Sequence, residues 1–153
     1  MNNIENRLAE LNIVLADAPA PVANYVPYVR TGNLVFISGQ VSLAPEGLIK
    51  GRLGEDMNIE DGQQAAHTCA VNLLAQLKAA CDGDLDRVNR VVKLGGFVNC
   101  TADFYDHPRV INGASDLMVA IFGDNGKHAR AAVGVPSLPL EAAVEVDGVF
   151  EIT

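Results

Sequence analysis

The stretch Ala142-Ala143-Val144-Glu145-Val146-Asp147-Gly148-Val149-Phe150-Glu151-Ile152 alternates apolar and acidic side chains. A period of two sends successive side chains to opposite faces of a β-strand. Val144, Val146, Phe150 and Ile152 therefore face one way, and Glu145, Asp147 and Glu151 the other. The stretch before it, Arg130-Ala131-Ala132-Val133-Gly134-Val135, alternates too, with Arg130, Ala132 and Gly134 on one face and Ala131, Val133 and Val135 on the other. Pro136-Ser137-Leu138-Pro139 separates the two strands. An arginine followed on its own face by two tiny residues predicts open volume beside a guanidinium, which is one way to shape an anion pocket.

Further toward the N-terminus, Tyr25 to Arg30 and Leu34 to Val41 read as strands joined by Thr31-Gly32-Asn33, where Gly and Asn accept the positive φ of a hairpin turn. Leu34-Val35-Phe36-Ile37 is apolar throughout, the pattern of a strand buried on both faces. Ser38-Gly39-Gln40 then either exposes a hydroxyl and free N–H groups or simply ends the strand. A Pro/Gly-bearing loop follows from Ala44 to Gly54, with room for a short strand near Leu48 to Lys50.

Asn58 is a candidate N-cap, with Glu60 and Asp61 in the first turn and Gly83 as the stop. Between them Ala66, Ala70, Leu73, Leu74 and Leu77 form one apolar stripe. A second helix opens near Asp106, with Pro108 in its first turn, and runs through Val110, Ala114, Leu117 and Ile121 to Gly123. Arg90 to Asn99 between the helices is strand-like, and Gly95-Gly96 predicts a bulge or a close backbone approach. Asn3 to Leu11, with Ile4, Leu8 and Leu11 at helical spacing, predicts a short helix packed on the body, and Ala16 to Ala23, bearing Pro19 and Pro21, is the nearest thing to a linker. The element order is ββ(β)αβαββ. The fold class is α+β, a mixed β-sheet with two main helices on one face.

At 153 residues, the length argues for a single domain, and 49% hydrophobic with 20% charged residues is the composition of a folded globular protein. Eleven Lys+Arg against 19 Asp+Glu leave a net charge of −8. Such a chain gains little from counterion release on a phosphate backbone, which makes nucleic acid an unfavoured partner, and Trp, the strongest stacking residue, is missing. Arg87, Arg90 and Lys93 form the one local basic cluster and fit a helix-to-strand junction. No apolar run approaches the roughly 20 residues of a membrane span, and Met1 to Ala16 does not have the pattern of a signal peptide, so a cytoplasmic location without membrane attachment is expected.

The cysteines Cys69, Cys81 and Cys100 follow no disulfide pattern. Cys69 and Cys81 share one expected helix, roughly 18 Å apart. His67 and Cys69 diverge on that helix, and no second pair completes a metal site. His107 and His128 read as surface histidines, and phosphate-loop, dinucleotide and nucleophile-elbow motifs are absent. Taken alone, Arg130 fits a surface or interface ion pair better than an anion clamp, and Glu145 fits a solvated strand face.

Gly32-Asn33-Leu34-Val35-Phe36-Ile37-Ser38-Gly39-Gln40, followed by Arg130-Ala131-Ala132-Val133-Gly134-Val135, Leu138-Pro139 and Val144-Glu145-Val146, closely resembles the RidA/YjgF family over about residues 20 to 152, in a longer subgroup with an N-terminal helix. The resemblance implies a chorismate-mutase-like fold and a homotrimer with clefts between subunits. It also implies cofactor-free hydrolysis of 2-imino acids to 2-oxo acids and ammonia. Position by position, it implies that Arg130 clamps the substrate carboxylate and Glu145 activates water. Tyr25, Ser38, Gly39 and Asn112 would line the cleft together with Ala132, which replaces a cysteine of the founding members. Two other readings accompany it: an endoribonuclease, after the family's older name, and a non-catalytic trimer that binds small carboxylates.

Overall fold

In the computed structural model, which describes residues 3–18 and 23–153, the chain order is α1 (Asn3–Glu10), β1 (Tyr28–Thr31), β2 (Leu34–Val41), β3 (Leu43–Ala44), β4 (Gly47–Leu48), α2 (Ile59–Ala80), β5 (Val88–Asn99), α3 (His107–Phe122), β6 (Ala129–Val135) and β7 (Val144–Ile152). Five strands form one sheet in the order β1-β2-β7-β5-β6. Only the β5–β6 pair in it is parallel. This is the mixed α+β layout expected from the sequence. Pro19 and Pro21 of the expected linker lie outside the described residues.

The helix ends follow the local chemistry. The Asn58 side chain accepts the Asp61 N–H at 2.8 Å, while Glu60 and Asp61 supply negative charge to the first turn. At the other end Gly83, at φ +90°, turns the chain so that its N–H reaches the Lys78 carbonyl at 2.8 Å. α1 is held from outside its own sequence: Asp86 accepts the Asn3 and Ile4 N–H groups, each at 2.9 Å, and the Arg7 Nε donates to the Ala120 carbonyl at 2.7 Å.

α2 and α3 lie side by side on one face of the sheet. Their Leu73, Leu74, Leu77, Ile111 and Met118 meet Val35, Ile37, Leu94, Val98, Val144, Val146, Phe150 and Ile152 in the core. A glycine makes the helix pair possible. A Cβ on Gly113 of α3 would run into the Gln63 backbone carbonyl of α2.

Local expectations change in five places. β1 begins at Tyr28 rather than Tyr25, because Pro27 has no N–H to give a ladder and offers only its carbonyl, which accepts the Ser38 N–H at 2.9 Å. The expected strand near Leu48 to Lys50 shrinks to the β3–β4 pair, leaving Lys50 a single bridge to Ala142. β7 starts at Val144. Gly95-Gly96 marks a close approach and not a bulge: Asp147 fills the space over Gly95 and Ile111 that over Gly96, while the irregularities of β5 fall between Val88 and Arg90 and between Val91 and Lys93. β2 is not buried on both faces. Val35 and Ile37 are sealed under the helices, but Phe36 is 44% exposed, since none of the described residues covers the second face. Val29 and Val133 are exposed on that same face.

Candidate active site

Arg130 enters from β6, the strand at one edge of the sheet. Its parallel register partner is the buried Leu94, so it points toward the helix layer, at the sheet's rim. There the guanidinium Nη1 donates to Asn112 Oδ1 at 2.8 Å and to Ser115 Oγ at 3.2 Å, both on α3. Both contacts use Nη1, so the Nε and Nη2 donors remain for a ligand. Among the described residues no carboxylate of the same chain pairs with Arg130. Its anchors are neutral oxygens, which fix the plane of the group and leave its charge uncompensated.

The open volume expected beside Arg130 is partly filled. Ala132 packs half-buried against the core. At Gly134 a Cβ would meet the His107 ring, and the Cys100 thiol at 2.6 Å. The small side chains here admit His107 and Cys100 as much as they could admit a ligand.

Glu145 sits on the other face. Its neighbours Val144 and Val146 are sealed under the helices, which turns Glu145 and Asp147 to the open side of β7. Each carboxylate lies over a glycine. A Cβ on Gly39 would be 2.8 Å from Glu145 Oε2, and the Asp147 carboxylate occupies the corresponding space over Gly95. Glycine at these two positions is what lets the carboxylates lie down on the sheet. Half-burial pushes the Glu145 carboxyl above the ordinary carboxylate range, and the negative charge of Asp147 adds to the shift. Asp147 is itself raised by burial, against the pull of the Gly95 N–H and of Lys93.

Ser38-Gly39 is neither a strand end nor a free donor site. β2 continues through it in a bulge, between the pairs Ile37–Gly148 and Gln40–Val146. The Ser38 hydroxyl donates to the Val26 carbonyl at 2.9 Å, so the serine straps down the segment that carries Tyr25, itself 57% exposed.

The structure thus gathers the expected site residues into two groups. Arg130, Asn112 and Ala132 share the rim on the helix side. Glu145, Gly39 and the bulge of β2 share the open face. In register terms Arg130 is level with Leu94, and Glu145 with Phe97, three residues further along β5 and on its opposite side. The sheet itself stands between the two groups within one chain.

Sequence reasoning missed Ser115 and misread His128. The Ser115 Oγ lies 2.9 Å from His128 Nε2, and His128 Nδ1 lies 2.6 Å from the Gly126 carbonyl. The i, i+3 spacing of Asn112 and Ser115 was an available signal, because it puts both side chains on one helix face.

Residues 5–151 match the profile of the family described as "YjgF/chorismate mutase-like, putative endoribonuclease". The chain belongs to the YjgF/chorismate mutase-like family. Its match to the YjgF-like profile starts inside α1, so most of the N-terminal helix falls within it. Among relatives, Protein TCP17 of Trypanosoma cruzi is 48% identical over 147 residues, covering 95% of this chain and 91% of that one. A 2-iminobutanoate/2-iminopropanoate deaminase of Dermatophagoides farinae is 29% identical, over 88% of this chain and 91% of the other. The crystal structure of Atu1372 from Agrobacterium tumefaciens, a protein of unknown function, superposes with a TM-score of 0.91 at 47% identity, covering 99% of this chain and 94% of that one. The YjgF-like fold thus extends along the whole chain, while the named activities of its relatives differ.

Proposed function

We propose that this protein hydrolyses 2-imino acids of the 2-iminobutanoate and 2-iminopropanoate type to 2-oxo acids and ammonia, at clefts between the subunits of a homotrimer. The observation that carries the reading is the Arg130 guanidinium, fixed by Asn112 and Ser115 with no carboxylate partner among the described residues. A planar cation with donors to spare is suited to a bidentate bond with a substrate carboxylate, and it discriminates against uncharged imines.

The chemistry asked of the second group is modest. The Glu145 carboxylate takes a proton from water as the oxygen attacks the imine carbon. Starting from the protonated imine, that proton then passes to the nitrogen of the resulting carbinolamine; as the C–N bond breaks and the C=O bond forms, the hydroxyl proton returns to the Glu145 carboxylate and leaves with ammonia as ammonium, with the 2-oxo acid behind. A carboxyl raised by burial suits the first proton step, since the shift makes its carboxylate a stronger base toward the attacking water. Placing Arg130 and Glu145 together takes two copies, with the rim of one against the open face of the next. The exposed Val29, Phe36 and Val133 on that face favour the same arrangement.

The test is direct. Purified protein mixed with freshly generated 2-iminobutanoate is expected to release 2-oxobutanoate faster than buffer, and to elute as a trimer. No acceleration over buffer sinks the deaminase reading. Cleavage of RNA that survives Arg130→Ala and repurification would replace it with a nuclease.

The acid limb of kcat/KM provides a further check. A base must be deprotonated to act, and the Glu145 carboxyl is raised, so activity is expected to fall on the acid side with a midpoint above the ordinary carboxylate range. Asp147→Asn removes one of the two causes and is expected to move that midpoint to lower pH. Burial, the larger cause, keeps part of the shift. A midpoint that stays in place, or rises, would show that Asp147 does not act on the catalytic group.

A further inference from the structure

Behind Arg130 a chain of hydrogen bonds runs away from the proposed cleft. Arg130 Nη1 reaches Ser115 Oγ at 3.2 Å, Ser115 Oγ reaches His128 Nε2 at 2.9 Å, and His128 Nδ1 reaches the Gly126 carbonyl at 2.6 Å. The direction of each bond follows from what each group can do. A backbone carbonyl only accepts, so Nδ1 carries the ring proton. A guanidinium only donates, so the serine oxygen accepts from it. The one serine proton is then free for Nε2, which in the neutral ring is a bare acceptor. Every group in the line has its partner, and no donor meets a donor.

This wiring has a consequence for Arg130. A serine whose proton is drawn toward an imidazole presents its lone pairs to the guanidinium as a fixed acceptor instead of a rotating hydroxyl. Together with Asn112 Oδ1, about one turn earlier on the same helix face, it makes a two-point seat for Nη1. The seat carries no net charge. It therefore orients the guanidinium without neutralising it, which an aspartate in the same place would do. His128 is in turn fixed by the short turn through Gly126, a buried glycine whose Cβ would run into the Met118 carbonyl of α3.

We propose that Ser115 and His128 are positioning residues that set the Arg130 guanidinium for a substrate carboxylate. The inference rests on the role given to Arg130 above, and its experiment separates the two. Binding of 2-oxobutanoate and hydrolysis of 2-iminobutanoate are measured for the wild type, Arg130→Ala, Ser115→Ala, His128→Phe and Ser115→Thr. Ser115→Ala and His128→Phe are expected to weaken 2-oxobutanoate binding and raise KM by about tenfold, the scale of a lost hydrogen bond to a charged group, with kcat little changed. Ser115→Thr keeps the hydroxyl and is expected to restore both constants. With 15N-labelled histidine, the His128 ring should appear as the Nδ1–H tautomer, and its Nε2 resonance should move in Ser115→Ala even without ligand.

If Arg130→Ala loses 2-oxobutanoate while folded Ser115→Ala binds it as the wild type does, the positioning role is wrong and the clamp stands. If Arg130→Ala also binds as the wild type does, the clamp itself is wrong and the positioning role falls with it. An Nε2–H tautomer for His128 contradicts the wiring even if the variants fail to fold. Covalent capture of Ser115 by a fluorophosphonate would overturn positioning in favour of a nucleophile.

Discussion

Mixed assemblies of Arg130→Ala and Glu145→Gln chains are expected to regain imine hydrolysis that neither variant possesses alone. Each single variant should be at background, because one lacks the carboxylate clamp in every site and the other the base. The two groups lie on opposite faces of one sheet, three residues apart along β5. If a working site takes Arg130 from one copy and Glu145 from its neighbour, an Arg130→Ala chain can still lend its Glu145 to a Glu145→Gln chain that keeps Arg130. For random trimers made from equal amounts of the two, about one site in four receives both intact groups in a ring of identical contacts. Unfolding the two variants together and refolding them should therefore bring activity to about one quarter of the wild-type value, while mixing them folded should bring little until subunits exchange. Activity that stays at background after verified co-assembly would place both groups in one chain's site, and the split described above would lose its meaning.

The second large effect is on stability. Gly113→Val is expected to destabilise the fold by about 3 kcal/mol, the upper end of ordinary overpacking, because the atom in the way is a backbone oxygen and not a movable side-chain tip. The Gln63 carbonyl faces the missing Cβ of Gly113, and the neighbouring Gln63 side chain already bonds the Arg109 carbonyl at 2.8 Å, so α2 has little freedom to back away. A loss of that size is a large share of the roughly 5–15 kcal/mol that holds a typical domain together. Urea unfolding should show a lower midpoint at unchanged slope. An unchanged midpoint would mean that the two helices can separate at that contact without cost. Since Asn112 precedes Gly113 on α3, surviving Gly113→Val protein should also bind 2-oxobutanoate more weakly.

How much of this was legible in the sequence depends on whether the signal is local. Asn58 and Gly83 bracket α2 through bonds that span three and five residues, and the sequence places both ends of that helix correctly. Leu34 to Val41 is likewise the strand expected. The alternation of β6 and β7 correctly sorts side chains into two groups on each strand. It cannot say which group faces the helices, because that is decided by where α2 and α3 dock. For the same reason it could not reveal that Arg130 and Glu145 end up on opposite sides. Phe36 was misjudged by composition: an apolar side chain says that it leaves water, not that its own chain does the covering. The Ser38 hydroxyl was misjudged because its partner, the Val26 carbonyl, is twelve residues away across a turn. Ser115 and His128, thirteen residues apart on a helix and a loop, carry no pattern until β6 returns alongside β5.

The place of β7 in the sheet has a consequence in time. It follows the other six strands in chain order, yet it is the middle strand of the five, with β2 on one side and β5 on the other. Until it arrives, β1–β2 and β5–β6 are two ribbons with no hydrogen bonds between them, each presenting a raw edge. The growing chain can form its helices and ribbons early, but it cannot knit them into one layer before the last strand is made, and pairing partners over a hundred residues apart are slow to meet. During that wait the two edges are open to each other's counterparts on neighbouring chains, so the order of synthesis makes this a fold whose greatest exposure to mispairing comes just before β7 is added.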